Sequence, residues 1–198
     1  MNSETRARIP LGVALPIAED LAEQLEPYAV KLEVAGSIRR RKATVKDIEI
    51  VAVPRFEEHV GPSEMELFGA IPPERETVNV LWRRIDDMIP TEQRIKWGKR
   101  YRQFRFEARE GHTITVDLFT GSVASWGWNL LVRTGSAEFS HHVARELNRR
   151  GFTSKDFMVY RKDRGGKPEG ESVPTLEEAD VFRLAGMGFL KPEKRSWE

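Results

Sequence analysis

Cysteine is absent from all 198 residues. That excludes disulfide scaffolds, thiol catalysis and thiolate-bound zinc or iron–sulfur centres, and it favours a cytoplasmic location. Histidine is scarce: there are four, two of them adjacent at His141 and His142, too few for a His-rich metal site. No stretch approaches the roughly 20 apolar residues of a membrane helix, so no spanning segment is expected. Residues 1–8 are polar and carry no hydrophobic signal region, so secretion is not expected. Internal repeats and low-complexity tracts are missing too. Neither charge sign dominates, with 32 Lys and Arg against 31 Asp and Glu. What remains is 39% hydrophobic and 32% charged. That suffices for a core under a well-solvated surface, in one medium domain or two small ones.

The balanced total hides blocks of one sign. Residues 31–46 hold six Lys or Arg and one acid, whereas residues 55–92 hold four against nine acids. Residues 94–109 hold seven Lys or Arg and one acid, and residues 133–167 hold nine against four. Local fields of one sign can therefore form on a near-neutral molecule.

Ile17, Leu21 and Leu25 form one stripe flanked by Ala18 and Ala22, which predicts a helix over residues 10–32. Pro16 fits its first turn, and Pro27 should end or kink it. Residues 31–35 are a short extended run leading to Gly36-Ser37, and 48–53 read as a strand stopped by Pro54. The acidic stretch 57–79, with Pro62, Pro72 and Pro73, reads as a long loop or insertion. Leu81, Ile85 and Met88 mark a helix ending at Pro90. Two strands are expected over 100–108 and 113–119, turning at Glu110-Gly111. Beyond Gly121 helices prevail: 124–132, then one carrying Phe139, Val143 and Leu147 with Ser136 as N-cap and Gly151 past its end. Residues 162–172 read as a mobile hairpin or loop. Thr175 and Glu178 fit a capping box for a last helix that stops near Gly186. The expectation is an α+β half to about residue 120, then a mostly helical half.

The most informative segment runs from Gly36-Ser37 through a basic run to Asp47-Ile48-Glu49. Alternation on a strand sends Asp47 and Glu49 to one face and assigns Ile48, Ile50 and Val51 mostly to the core. A third acid, Asp117, opposes Ile114, Val116 and Leu118 on a later strand. If the two strands are neighbours, the three acids converge. Two carboxylates at about 4 Å repel by roughly 4 kcal/mol at an effective dielectric of 20. A proton, a basic neighbour or a divalent cation must offset that, and hard oxygen donors suit magnesium or manganese. The bland alternative pairs Asp47 and Glu49 with Arg39, Arg40 or Lys42. Upstream, Gly36-Ser37 offers backbone N–H groups and a hydroxyl to phosphate oxygens, and arginine adds bidentate contacts.

Gly36-Ser37-Ile38-Arg39-Arg40, then Asp47-Ile48-Glu49, then Asp117, resembles the nucleotidyltransferase superfamily, and within it the family X DNA polymerases. Arg8-Ile9-Pro10 resembles the opening of that family's palm. Thr134-Gly135-Ser136 with Phe139 resembles its segment beside the nucleotide sugar. Pro174-Thr175, Glu178, Asp180-Val181-Phe182, Leu184, Pro192 and Arg195 resemble its C-terminal end. The resemblance implies a nucleotidyltransferase palm over 1–120, a mixed β-sheet with helices, and a small mostly helical thumb-like domain over 121–198. It implies a minimal form without the lyase and fingers domains, acting as a monomer.

The implied activity is DNA-directed DNA synthesis by two-metal phosphoryl transfer, in gap filling or end repair. The partners are primer/template or gapped DNA and a dNTP. Asp47, Glu49 and Asp117 would hold two Mg2+ ions, with Mn2+ able to substitute. Gly36, Ser37 and Arg40, helped by Arg8, would bind the triphosphate, and Thr134 and Gly135 the sugar. The alternatives are a template-independent or RNA-directed transferase, or a non-catalytic nucleic-acid-binding module. The sequence departs from the pattern at Glu49, an aspartate in the family, and at Val132-Arg133, where an aromatic pair is usual. Ser140 and Ala144 stand at minor-groove-reading positions, which implies looser template reading. On that fold the basic block 94–109 is expected to track a nucleic-acid backbone. Trp82, Trp126 and Trp128 are expected to pack, and His141 and His142 to be solvated.

Overall fold

A computed structural model describes residues 8–60, 65–66, 69–70, 75–108 and 111–197. The chain opens with β1 (Ile9–Pro10), α1 (Leu11–Leu25), β2 (Ala29–Val34), α2 (Gly36–Arg39), β3 (Thr44–Val45) and β4 (Ile48–Pro54). Next come β5 (Phe56–Val60), β6 (Met65–Glu66), β7 (Gly69–Ala70), β8 (Arg75–Asn79) and α3 (Val80–Met88). β9 (Arg94–Trp97), β10 (Tyr101–Glu107) and β11 (Thr113–Thr120) complete the first half. The second half holds α4 (Trp126–Thr134), α5 (Ala137–Arg149), β12 (Phe152–Lys155), β13 (Met158–Lys162), β14 (Pro168–Val173) and α6 (Glu178–Ala185).

A five-stranded mixed sheet in the order β2-β4-β11-β10-β9 organises the first half. Only the β4–β11 pair is parallel. One face carries Ile48, Ile50, Val116, Leu118 and Phe104, which pack with Leu21 and Leu25 of α1 and Leu81 and Ile85 of α3. Each such fully buried side chain contributes about 1.5–3 kcal/mol. On the opposite face Val51 and Val53 pack with Ala35 and with Trp126 and Leu130 of α4. Val51 therefore shares the face of Glu49, as strict alternation demands, and not the main core assigned to it above.

The first helix is shorter than its pattern suggested. It stops at Leu25, and residues 29–34 form strand β2, because Pro27 breaks the helix and β4 offers an open edge. Pro16 lies beyond the first turn, where it cannot donate to the Gly12 carbonyl. The stretch 57–79 is no plain loop: β5 pairs antiparallel with β8, and β6 with β7. β9 was not foreseen. Glu110 of the expected turn lies outside the described residues.

In the second half, Trp128, Leu131, Phe139, Val143, Leu147, Val159, Val181 and Phe182 form a separate core. Ser136 caps α5 by accepting from Phe139 N at 3.2 Å, and Gly151 follows the helix at φ +86°. The half is not helices alone. β12, β13 and β14 form an antiparallel sheet, so residues 162–172 belong to a paired hairpin. Gly127 brings α4 against the start of α6: a Cβ there would overlap the Glu177 carbonyl, and Gly127 N donates to Thr175 O at 2.7 Å. The last helix is capped reciprocally by Glu177 and Asp180, which leaves Glu178 free of the capping role predicted for it.

Candidate active site

The parallel pairing of β4 with β11 sets Glu49 directly opposite Asp117, with Asp47 just before β4. Tyr101 Oη and Gln103 Nε2 each donate to Asp117 Oδ1 at 2.6 Å. Gln103 faces Asp117 across β10, and Tyr101 follows two residues away on the same face. Neither donor was singled out from sequence: a two-residue turn at Glu110-Gly111 would set Phe104 opposite Asp117, and the observed register is shifted by one residue, which brings Gln103 there instead.

β2 delivers the glycine–serine segment. Val34 pairs with Ile50, and Ala35 N donates to Glu49 O at 2.7 Å, so Gly36 and Ser37 follow immediately across from Glu49. Gly36 has φ +62°, and a Cβ would overlap Glu49 Oε2. Both conformation and space demand glycine there. Arg8 is exposed beside β1, which pairs with β3 as Ile9 to Val45. Continuing that register by one residue brings Arg8 next to Lys46, at the edge of the acids.

The Glu49 carboxyl is pushed up to about 7 by burial, then by the charges of Asp47 and Asp117, with Arg133 and Arg40 pulling it down. A surplus of negative charge is thus built into the site. Three carboxylates without thiolate or imidazole fit a hard divalent ion such as Mg2+ or Mn2+. The donors are not gathered in advance. Among the described residues no three acidic or histidine side chains already surround one ion-sized point. Glu49 lies back over Gly36 instead, as mutual repulsion would place it.

Arg40 reaches the other half. Its Nη1 donates to the carbonyl oxygens of Thr134 and of Gly135, the latter at 3.0 Å, while Nε is buried without a partner. Gly135 could carry no side chain, because a Cβ would strike the Phe139 ring at 2.6 Å and Ser140 Oγ at 3.0 Å. The residues predicted for triphosphate and sugar therefore meet at one seam.

The family model for the DNA polymerase beta thumb matches residues 129–196. DNA polymerase lambda of Rattus norvegicus is 24% identical over 167 residues, which cover 82% of this chain and 28% of that protein. The chain is family X polymerase-like. The chain spans less than a third of the length of this relative.

Within this polymerase-like thumb region, Ser140 is buried and donates to Val132 O at 3.1 Å, and Ala144 packs against the core. The Ser140 hydroxyl is thus turned to the Val132 carbonyl, while Ala144 is part-buried. Trp82, Trp126 and Trp128 are buried as expected, and His141 is exposed, whereas His142 packs against Trp197 at 4.9 Å. The basic block 94–109 is only partly a surface. Arg102 is buried between Trp82 and Trp97 and pairs with Asp86, and Arg94 donates to Ile89 O and Asp86 O. Lys96, Lys99, Arg100 and Arg105 remain exposed, and Arg109 lies outside the described residues.

The raised Glu49 carboxyl makes stability depend on pH. Glu49 binds its proton more tightly folded than unfolded, so its contribution is fully present below about pH 4.5 and is lost as pH rises through about 7. In EDTA the wild type should lose roughly 3 kcal/mol over that interval through this group alone. Glu49→Gln should flatten the profile and unfold at higher temperature than wild type at alkaline pH. Parallel melting profiles for the two proteins would refute the assignment.

Proposed function

We propose that the chain is a DNA polymerase of family X type, adding a deoxynucleotide to a DNA 3′-hydroxyl in gap filling or end repair. The observation that carries this reading is the face-to-face placement of Glu49 and Asp117 on the parallel strands β4 and β11, with Asp47 beside them and Gly36-Ser37 directly across. The thumb match and the likeness to a polymerase support it independently. The five-stranded sheet would serve as palm over 1–120 and the remainder as thumb over 121–198.

Asp47, Glu49 and Asp117 would hold two Mg2+ ions, or Mn2+, which supply the Lewis acidity that activates the 3′-hydroxyl and offsets the charge of the triphosphate. The chain's own residues do the rest. Tyr101 and Gln103 fix the Asp117 carboxylate through Oδ1 and so preset the direction of Oδ2. Gly36 and Ser37 present backbone N–H and hydroxyl donors to phosphate oxygens, and Arg8 and Arg40 add charge. Thr134 and Gly135 form a backbone wall beside the sugar, held rigid by Phe139 and Ser140. In the reaction the O3′–H bond breaks and its proton passes to solvent, O3′ bonds the α-phosphorus, the α–β phosphoanhydride bond breaks and pyrophosphate leaves.

Primer extension on gapped, recessed and single-stranded DNA, with each dNTP and NTP in Mg2+ and in Mn2+, tests the reading. Templated dNTP addition is expected. Addition without a template would favour the template-independent alternative, and no addition under any condition would overturn the polymerase assignment.

A further inference from the structure

Asp117 and Phe119 share one face of β11, and Phe119 pairs with Tyr101 as Asp117 does with Gln103. The Tyr101 and Phe119 rings stack at 4.7 Å with 10° between their planes. The Arg133 guanidinium lies over the other side of this stack, 3.7 Å from the Phe119 centroid. Phe157 covers it from the hairpin between β12 and β13, at 5.6 Å. That hairpin turns through Asp156 and Phe157, at φ +49° and +66°. A phenylalanine is costly in this left-handed conformation, where glycine is at ease, so the turn stores strain while placing the ring. Arg133 Nε is buried with no hydrogen-bond partner. The side chain is therefore held by its planar faces more than by directed bonds. Family X resemblance gives no reason for a cation here, because an aromatic residue is usual at this position.

Resting on the carboxylate-site reading above, we propose that Arg133 is a positioning residue whose guanidinium, clamped between Phe119 and Phe157, is the standing counter-cation of Glu49 and Asp117, against which an incoming divalent ion competes. The register supports it: a group over Phe119 lies two residues along the face from Asp117, which itself faces Glu49. The electrostatics agree. Burial lowers the Arg133 pKa, and Glu49, Tyr101 and Asp117 oppose that loss of charge. A planar guanidinium suits the role because it stacks on aromatic faces and stays charged when partly desolvated. Held this way it offsets the mutual repulsion of the acids without a bidentate bond to either of them.

The test is Mn2+ binding to the full chain, read from the electron paramagnetic resonance signal of free Mn2+ in slightly alkaline, nucleotide-free buffer. Arg133→Met removes the charge but keeps a long apolar arm, and should tighten Mn2+ binding on the order of tenfold. Arg133→Lys keeps the charge and should stay within about threefold of wild type. A purely structural role would predict weaker binding or none of this difference. Equal or weaker binding by Arg133→Met overturns the proposal while leaving the carboxylate site in place. No specific Mn2+ binding by either wild type or Arg133→Met, or binding that Asp117→Asn leaves unchanged, overturns the site itself, and the proposal with it. If Arg133→Met fails to fold, Phe157→Gly removes one wall of the clamp and relieves the turn. It should tighten binding in the same direction by about twofold or more, and an unchanged affinity would overturn the proposal.

Discussion

Asp117→Asn is expected to slow nucleotide transfer by at least about a thousandfold and to leave the protein folded. The size of the effect follows from where the residue lies. Asp117 faces Glu49 across the parallel pair, and two donors hold it through Oδ1. Asparagine keeps the volume and one acceptor oxygen for Tyr101, so the sheet need not move. What it removes is one full negative charge from the group that a divalent ion must join. The folded protein should not suffer from that removal in the absence of metal, because Asp117 is one of the charges that push the Glu49 carboxyl up. Melting temperature in EDTA should hold or rise slightly at neutral pH. Single-turnover incorporation on gapped DNA gives the rate. Near wild-type turnover by Asp117→Asn, or by Asp47→Asn, would remove these carboxylates from the chemistry.

The main strands could be read along the chain because each has its own alternation. Ile48, Ile50, Val116 and Leu118 reach the core as their spacing requires, and the acids between them take the other face. The convergence itself was conditional on a pairing that no local pattern encodes. Residues 49 and 117 become neighbours only through a parallel crossover, and crossovers are set by how α1 and α3 cover one face. Charge misled for a related reason. Arg94 and Arg102 counted as members of a basic surface, yet Arg102 is buried between tryptophan rings against Asp86, and Arg94 lies over Trp97, half-buried. A sequence shows that an arginine is charged; it does not show whether aromatic rings have buried it against a carboxylate 16 residues away. Glu178 was hidden by a better local explanation. Thr175 and Glu178 have the spacing of a capping box, but helix α6 starts at Glu178, and Glu177 with Asp180 does the capping. Pro27 did end the helix, as its chemistry requires; only the outer bound at residue 32 overshot, into residues that pair with β4 as strand β2.

Glu178→Gln is expected to lower stability by about 3–5 kcal/mol, the cost of leaving a buried arginine without its counter-charge. Glu178 is 5% exposed and Arg195 is fully buried. Arg39 donates to both carboxylate oxygens, at 2.9 and 3.0 Å, and Arg195 also binds both. Arg39 comes from α2, beside the Gly36-Ser37 segment, so this one carboxylate ties the sheet half to the thumb-like half. Burial alone would raise its pKa; the hydrogen bonds from Arg195 and Arg39 and their charges outweigh that and hold it below the usual carboxylate range. A depressed carboxyl contributes stability above its unfolded pKa and loses it as pH falls through the folded one, so wild type should weaken in strong acid while Glu178→Gln should lack that step. In a chain of this size about 3 kcal/mol corresponds to roughly 6–12 °C in melting temperature. Glutamine fills the same space, but a neutral amide cannot balance two guanidiniums, and Arg195 cannot leave because Phe139, Phe182 and Phe189 surround it at 5.2–5.6 Å. Arg39 can leave, by swinging toward Glu33, which already lies 3.5 Å from its Nε. The seam should therefore open from the side of Arg39, loosening Arg40 from the Thr134 and Gly135 carbonyls before the thumb core unfolds. Calorimetry should then show a broadened or split transition in Glu178→Gln where wild type gives one. A single sharp transition displaced by less than about 1 kcal/mol would mean that solvent already screens the triad.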